Sequence, residues 1–277
     1  MRRNTGTSRD IDIFAETRYH RTQKGAIALI YLTGDTHGDF RRFRAGEFPE
    51  LDQLTKADYV IICGDFGGVW NRSREQEYWL NWLEERPFTT LFVTGNHENY
   101  DMLAEFPKEE WRGGTVQRIR PSVIHLTRGQ VFELEGKRFF TMGGASCHDI
   151  PDGVLEPDDP QFKKKYRELQ RRDAYFRINH VSWWKEELPS TQEYHTALKT
   201  LERCKWEVDY VITHCAPTSI QNAIVRSGYE SNRLTDFLET VSGRLKFRLW
   251  FFGHYHSNLM VREKYILLYE KIVQLQL

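Results

Sequence analysis

No apolar run in this 277-residue chain approaches a membrane span; the longest, residues 26–32, falls well short of the roughly 20 residues a transmembrane helix needs. Residues 1–10 are polar and charged without an apolar core, so no secretory signal is expected. Cysteine is scarce. Cys63, Cys147, Cys204 and Cys215 form no CxxC pair, and they read as reduced, mostly buried thiols of a cytoplasmic protein. Charge of one sign is not in excess, with 39 Lys and Arg against 39 Asp and Glu, so no global field draws the chain to a membrane or to nucleic acid. There is no internal repeat, low-complexity tract or clear domain boundary, and a chain of this length can bury one large core or two small ones.

What the chain does contain is histidine beside carboxylate, amide and glycine. Five islands stand out: Gly34-Asp35-Thr36-His37-Gly38, Gly64-Asp65, Gly95-Asn96-His97-Glu98, Thr213-His214-Cys215-Ala216-Pro217 and Gly253-His254-Tyr255-His256. They carry two Asp, one Asn and five of the ten His. That is enough ligand for two adjacent metal ions, and paired ions are a common device for attacking phosphate esters.

The islands sit at regular places. Residues 26–33, 58–62 and 90–94 are compact apolar runs that stop at the first three islands, and each predicts a buried strand. Residues 74–85 predict a helix with Tyr78, Trp79, Trp82 and Leu83 on one face. Further strands are expected at 123–126, 131–134 and 138–142, the last two joined as a hairpin through Glu135-Gly136-Lys137. Residues 191–205 read as a helix. Strands at 208–213 and 247–252 end at the last two islands, and 265–269 is expected to close the sheet. The alternation predicts an α/β fold, a sheet layered with helices, whose chemistry gathers where the strands end. Residues 1–25 read as a polar extension before a domain over 26–277. Within it, 147–190 is a proline- and charge-rich excursion with some helix, a lid or rim.

Asp35 and His37 are two apart, and extended backbone would point both side chains to one ion; His254 and His256 repeat the spacing. The islands' glycines suit sharp turns and close backbone approach. Mixed Asp, His and Asn donors suit Mn, Fe or Zn better than a thiolate or all-oxygen site. Asp65 stands in an island with no other ligand, which makes it the candidate to bridge two ions.

Taken in order, GDTHG, GD, GNHE, THCAP and GHYH resemble the calcineurin-like metallophosphoesterase superfamily from about residue 26 to the end of the chain. The resemblance implies a four-layer αββα sandwich with two β-sheets packed between helices. It implies two divalent ions, manganese first with iron, zinc or nickel as alternatives. Asp35, His37 and His256 would hold one ion, Asn96, His214 and His254 the other, and Asp65 would bridge. His97 would be catalytic, stabilising or protonating the leaving oxygen as a metal-bound hydroxide attacks phosphorus. One departure stands out. Branches of the superfamily with GDxVDRG at the second island carry a phosphate-gripping Arg, where this chain reads Gly64-Asp65-Phe66-Gly67-Gly68-Val69-Trp70. Arg177 or Arg72 is a candidate replacement.

The expected activity is hydrolysis of a phosphomonoester or phosphodiester. A nuclease acting on DNA or RNA is the alternative, with the basic run from Lys163 to Arg177 gripping a strand. A non-enzymatic scaffold ranks last, because His97 and every ligand are present. Other residues read more plainly. His20, His125, His180 and His195 read as ordinary core or surface residues. Cys215 reads as buried, Glu98 as a brace for the turn that follows it, and Asp39 as a cap for the segment starting at Phe40. His148 and Asp149 are balanced between the pocket and a loop.

Overall fold

A computed structural model of the chain describes residues 27–225 and 229–277. The expected polar extension, and His20 with it, lies outside the described residues. Among the described residues there are fifteen strands. In chain order they are β1 (Ile30–Thr33), β2 (Tyr59–Ile62), β3 (Thr89–Phe92), β4 (Lys108–Trp111), β5 (Gly114–Arg120), β6 (Val123–Leu126), β7 (Gln130–Leu134), β8 (Lys137–Met142), β9 (Val154–Leu155), β10 (Arg177–Ile178), β11 (Tyr210–Thr213), β12 (Leu249–Phe252), β13 (Leu259–Val261), β14 (Tyr265–Leu267) and β15 (Val273–Gln274). The helices are α1 (Arg74–Glu84), α2 (Tyr100–Ala104), α3 (Phe162–Arg171), α4 (Thr191–Arg203), α5 (Thr218–Ile224) and α6 (Arg233–Arg244).

The strands form two large sheets and one small one. A seven-stranded sheet runs β15-β1-β2-β3-β6-β5-β4 and a six-stranded sheet runs β13-β14-β12-β11-β8-β7; β9 and β10 pair separately. The sheets face each other across one core, where Ile30, Leu32, Ile61 and Leu91 of the first meet Phe139, Tyr210, Ile212 and Phe251 of the second. Helices cover both outer faces. Leu80 and Leu83 of α1 and Leu103 of α2 pack on Val60, Ile62 and Phe92. Ala197 and Leu201 of α4 with Leu234, Leu238 and Val241 of α6 pack on Val211, Trp250 and Phe252. The result is the four-layer αββα sandwich. Short buried strands such as Tyr59–Ile62 are apolar on both faces because both faces are covered.

Several elements were not anticipated. The hairpin β4–β5 turns at Arg112 and Gly113, both with positive φ (51° and 89°), a two-residue reversal that suits the strand twist. β4 reads KEEW and is exposed along most of its length, so it gives no apolar signal. Residues 265–269 do not close their sheet. β14 lies inside it, parallel to β12, and β13 forms the edge. The chain then crosses back so that β15 pairs with β1 of the other sheet. On α1, Leu80 and Leu83 make the buried stripe, while Trp79 and Trp82 are half-buried and Tyr78 is 59% exposed.

Within 147–190 lie β9, α3 and β10. The segment is tied down through Trp184, whose Nε1 donates to Asp101 Oδ2 at 2.7 Å and whose ring meets Trp70 edge-on. Glu187 Oε1 accepts from the Cys147 amide at 2.8 Å, joining the two ends of the excursion.

Candidate metal centre

All five islands leave the carboxyl ends of parallel strands: β1, β2 and β3 in one sheet, β11 and β12 in the other. Parallel pairing puts those ends on one rim of the sandwich, so residues 219 positions apart, His37 and His256, meet there. His256 Nε2 lies 3.1 Å from Asp35 Oδ2 and 3.3 Å from His37 Nε2. His37 Nδ1 lies 3.8 Å from Asp65 Oδ2, and His214 Nε2 lies 3.3 Å from Asp65 Oδ1. Three ligand groups share members: Asp35, His37 and His256; His37, Asp65 and His97; Asp35, Asp65 and His214. Within each group the donor atoms lie within 4.8 Å of one another. Asp65 belongs to two of them.

The local backbone explains how this is achieved. His37, Asp65, His254 and His256 all have positive φ (47°, 45°, 72° and 44°). Such conformations are uncommon for non-glycine residues and cluster where function over-determines them. They also correct the expectation of extended pairs. Asp35 and His37 converge through a turn. His254 and His256 diverge, the first buried and the second exposed. His254 joins none of the three groups; its ring packs at 5.0 Å from that of His214. Glycine makes room. A methyl group on Gly95 would sit 2.0 Å from Asp65 Oδ1 and 2.7 Å from His214 Nε2, and one on Gly64 would sit 2.1 Å from His214 Nδ1.

The donors are oriented from behind. His214 Nδ1 donates to the Cys63 carbonyl at 2.8 Å, which aims the buried Nε2, itself without a hydrogen bond of good geometry, at the Asp65 carboxylate 3.3 Å away. Asn96 Oδ1 is likewise buried and unpartnered. A buried imidazole nitrogen and a buried amide oxygen without donors are costly unless something positive takes them up. The amides of His254 and His97 hold Asp35 Oδ1 and Asp65 Oδ1 at 3.0 and 2.8 Å.

Charge follows the same logic. Burial pushes the Asp65 carboxyl up, but the imidazoles of His214, His97 and His37 outweigh it and hold it far below the usual range. Burial opposes charging His214, but the carboxylates of Asp65 and Asp35 raise its pKa. Burial and neighbouring His214 push His254 well down, so it presents a neutral imidazole. The pocket thus holds two buried carboxylates and several imidazoles, of which His254 is held neutral and His214 is held charged by the carboxylates until a cation takes the place of its proton, a donor set that fits cations.

Several contributors carried no sequence signal. The guanidinium of Arg42 donates to the carbonyls of Asp35 and Tyr269, each at 2.6 Å, and to Thr33 Oγ1 at 2.8 Å, bracing the end of β1. Tyr269 stacks on His256 with ring centres 4.6 Å apart. Buried Arg128 holds the Tyr100 hydroxyl, which donates to the Gly95 carbonyl. Only a buried arginine among apolar neighbours would have hinted at these roles. Glu98 does brace a turn, but the one after Asp65: its carboxylate accepts from the amides of Phe66 and Gly67, while Asn99 caps α2. Asp39 accepts from the Arg41 amide at the start of a short 3-10 turn. His148 faces the centre, 4.2 Å from the ring of Tyr229 and 5.4 Å from that of His254. Asp149 does not; it pairs with Arg177. Arg72 pairs with Glu105, so both candidate replacement arginines are already engaged. His125 is buried, His180 pairs with Asp101, His195 is exposed, and Cys215 is buried.

Two cavities flank the centre. One, of about 370 Å³, is bounded at its inner end by His37 and His97. The other, of about 450 Å³, takes in His148, Tyr229 and His254.

The sequence pattern described as calcineurin-like phosphoesterase matches residues 28–258. The chain is 22% identical over 261 residues to the lariat debranching enzyme of Danio rerio, covering 82% of this chain and 40% of that protein. It is 25% identical over 236 residues to the lariat debranching enzyme of Schizosaccharomyces pombe, covering 75% and 44%. With lariat debranching enzyme A of Xenopus laevis it shares 26% identity over 143 residues, covering 46% and 26%. The chain therefore spans less than half the length of these curated relatives.

Proposed function

The chain belongs to the calcineurin-like phosphoesterase family, and from that premise we propose that it is a dinuclear metal-dependent phosphodiesterase. The observation that carries the reading is the gathering of Asp35, His37, Asp65, His214 and His256 into overlapping ligand clusters, with buried unpartnered atoms on His214 and Asn96 beside them. Asp35, His37 and His256 would hold one ion and Asn96, His214 and His254 the other, with Asp65 serving both. Manganese is the first choice, with iron, zinc and nickel as alternatives for the same nitrogen and oxygen donors. When bound, two such ions supply Lewis-acid charge neutralisation and a water acidic enough to attack near neutral pH.

The chain's own residues do the rest. His97 lies half-buried where the centre meets its first cavity, and its amide is anchored on Asp65. That placement lets its ring deliver a proton to the departing oxygen. Glu98 and Arg42 fix the backbone behind Asp65 and Asp35, so little reorganisation is needed when charge develops. Segment 147–190 forms the rim that carries His148 and Trp184.

A diester is favoured over a monoester because the centre lies between two cavities, one for each arm of the phosphate. Relatives named for debranching lariats favour the same choice. The test uses protein stripped with EDTA and reloaded with Mn, Ni or Zn. Two bound ions per chain, with bis(p-nitrophenyl) phosphate turned over faster than p-nitrophenyl phosphate, are expected. Loaded protein that hydrolyses neither ester, or prefers the monoester, would overturn the proposal.

A further inference from the structure

The cavity beside His37 and His97 has a composition that phosphate chemistry alone does not explain. Its walls are Phe40, Trp70 and Trp79, and its outer rim carries Asn71 and Glu75. None of the described residues lining it is Lys or Arg. Much of the nearby backbone is already engaged. The amides of Trp70, Asn71 and Arg72 all turn onto Gln76 Oε1, at 2.6, 2.9 and 3.3 Å, and the Gln76 amide is capped by Ser73. Glu75 and Glu77 add negative charge to the first turn of α1. A second phosphate would meet no Lys or Arg among these lining residues and would lie beside the Glu75 carboxylate.

The cavity suits a flat, uncharged ring instead. Trp79 meets Phe40 edge-on with ring centres 6.0 Å apart, and Tyr78, exposed, continues the aromatic surface at 5.3 Å from Trp79. A volume of about 370 Å³ is within the span of small-ligand clefts, about 300–1,000 Å³. Trp79 is only partly buried on a helix anchored by Leu80 and Leu83, so its ring packs on the core along one side and borders the cavity along the other. Glu75 and Asn71 provide polar edges for an exocyclic amine or ring nitrogen.

We propose that this cavity is a nucleobase subsite: the arm of the diester that lies on the His97 side carries a base, which stacks on Trp79 and Trp70. This rests on the phosphodiesterase reading and adds the class of substrate, a nucleotide diester, recognised by its ring and not by a further phosphate. Loss of stacking on one base corresponds to a roughly five- to 150-fold weaker interaction, about 1–3 kcal/mol.

The experiment compares the metal-loaded enzyme on a dinucleoside monophosphate and on the same diester lacking the bases. KM for the abasic diester is expected to be roughly tenfold higher or more. Trp79→Ala should collapse that ratio toward one, and Trp79→Phe should restore most of it. In parallel, saturation-transfer NMR on EDTA-stripped protein should show transfer to the ring protons of adenosine, less in Trp79→Ala and none to ribose alone. Equal KM values for two hydrolysed diesters, or no transfer to adenosine, would overturn the subsite and leave the phosphodiesterase reading intact. Transfer to adenosine with no diester hydrolysed under any metal would keep the subsite and sink that reading. If Trp79→Ala fails to fold, the wild-type KM ratio and the adenosine signal decide.

Discussion

Replacing Gly95 with alanine tests the architecture of the centre with a single methyl group. Gly95 does not have a positive φ, so alanine is tolerated by the backbone. The obstacle is what the methyl would meet: Asp65 Oδ1 at 2.0 Å, the Asp65 amide nitrogen at 2.5 Å and His214 Nε2 at 2.7 Å. Ordinary contact begins near 3.4 Å, so the carboxylate of Asp65 must retreat by about 1.4 Å or β3 must move away from it. Overpacking of this kind costs about 1–3 kcal/mol, a fall in Tm of roughly 2–10 °C for a chain of this size. The functional loss should be far larger, because a 1 Å displacement at a reacting centre costs on the order of a hundredfold. Metal content by elemental analysis, Tm by calorimetry and turnover of bis(p-nitrophenyl) phosphate are the three readouts. Gly243→Ala is the control. It lies in α6 with nothing within 4 Å of the added methyl, and should raise stability by about 0.5–1 kcal/mol without touching the metal. Full metal occupancy and wild-type turnover in Gly95→Ala would refute the claim that Asp65 and His214 need that space.

Other substitutions divide the labour at the site. His97→Ala should keep both ions by elemental analysis while turnover falls roughly 10²- to 10⁴-fold, and Asp65→Ala should lose both ions; unchanged activity in either would remove the assigned role. Arg42→Met leaves the carbonyls of Asp35 and Tyr269 without their donor and should weaken metal affinity roughly 10- to 100-fold in a competition titration with a chelating dye; unchanged affinity would limit Arg42 to scaffolding. His125 sets an acid limit on stability. Burial, then Arg128 and Lys108, lower its pKa to about 3. The unfolded chain therefore takes up a proton that the folded one refuses as pH falls below 6.5. Stability is lost on the acid side, about 2 kcal/mol between pH 7 and pH 5, with the loss levelling off near pH 3. His125→Phe keeps a ring against Phe92, and urea unfolding at the two pH values should show that difference shrink by the same amount; an unchanged difference would place the acid sensitivity elsewhere.

Legibility differed by element. Strands 123–126 and 137–142 and helices near 74–84 and 191–203 were readable because their apolar spacing is strong and their ends carry Gly, Ser or a hairpin turn. The edge strands Lys108–Trp111 and Leu259–Val261 were not, since three- and four-residue strands that are exposed or only partly buried leave no apolar period to detect. The aromatic stripe on α1 was legible as a helix face, but not what that face meets. Helical spacing marks a shared face, but it does not say whether that face meets the core or a cavity beside a reacting centre.

Donor chemistry was written in the chain: two Asp, an Asn and five His spaced behind buried strands, with glycine wherever two islands had to touch. Side-chain type decides what can hold a cation, and sequence states type directly. Direction had to wait for the fold. Left-handed backbone at His37, His254 and His256, the split of the last two between buried and exposed, the guanidinium of Arg42 under Asp35 and the aromatic cavity next to His97 depend on how two sheets meet. The longest of those relations, such as Asp35 with His256 and Arg42 with Tyr269, join residues more than two hundred positions apart, and only packing of the whole chain brings them within reach of one another.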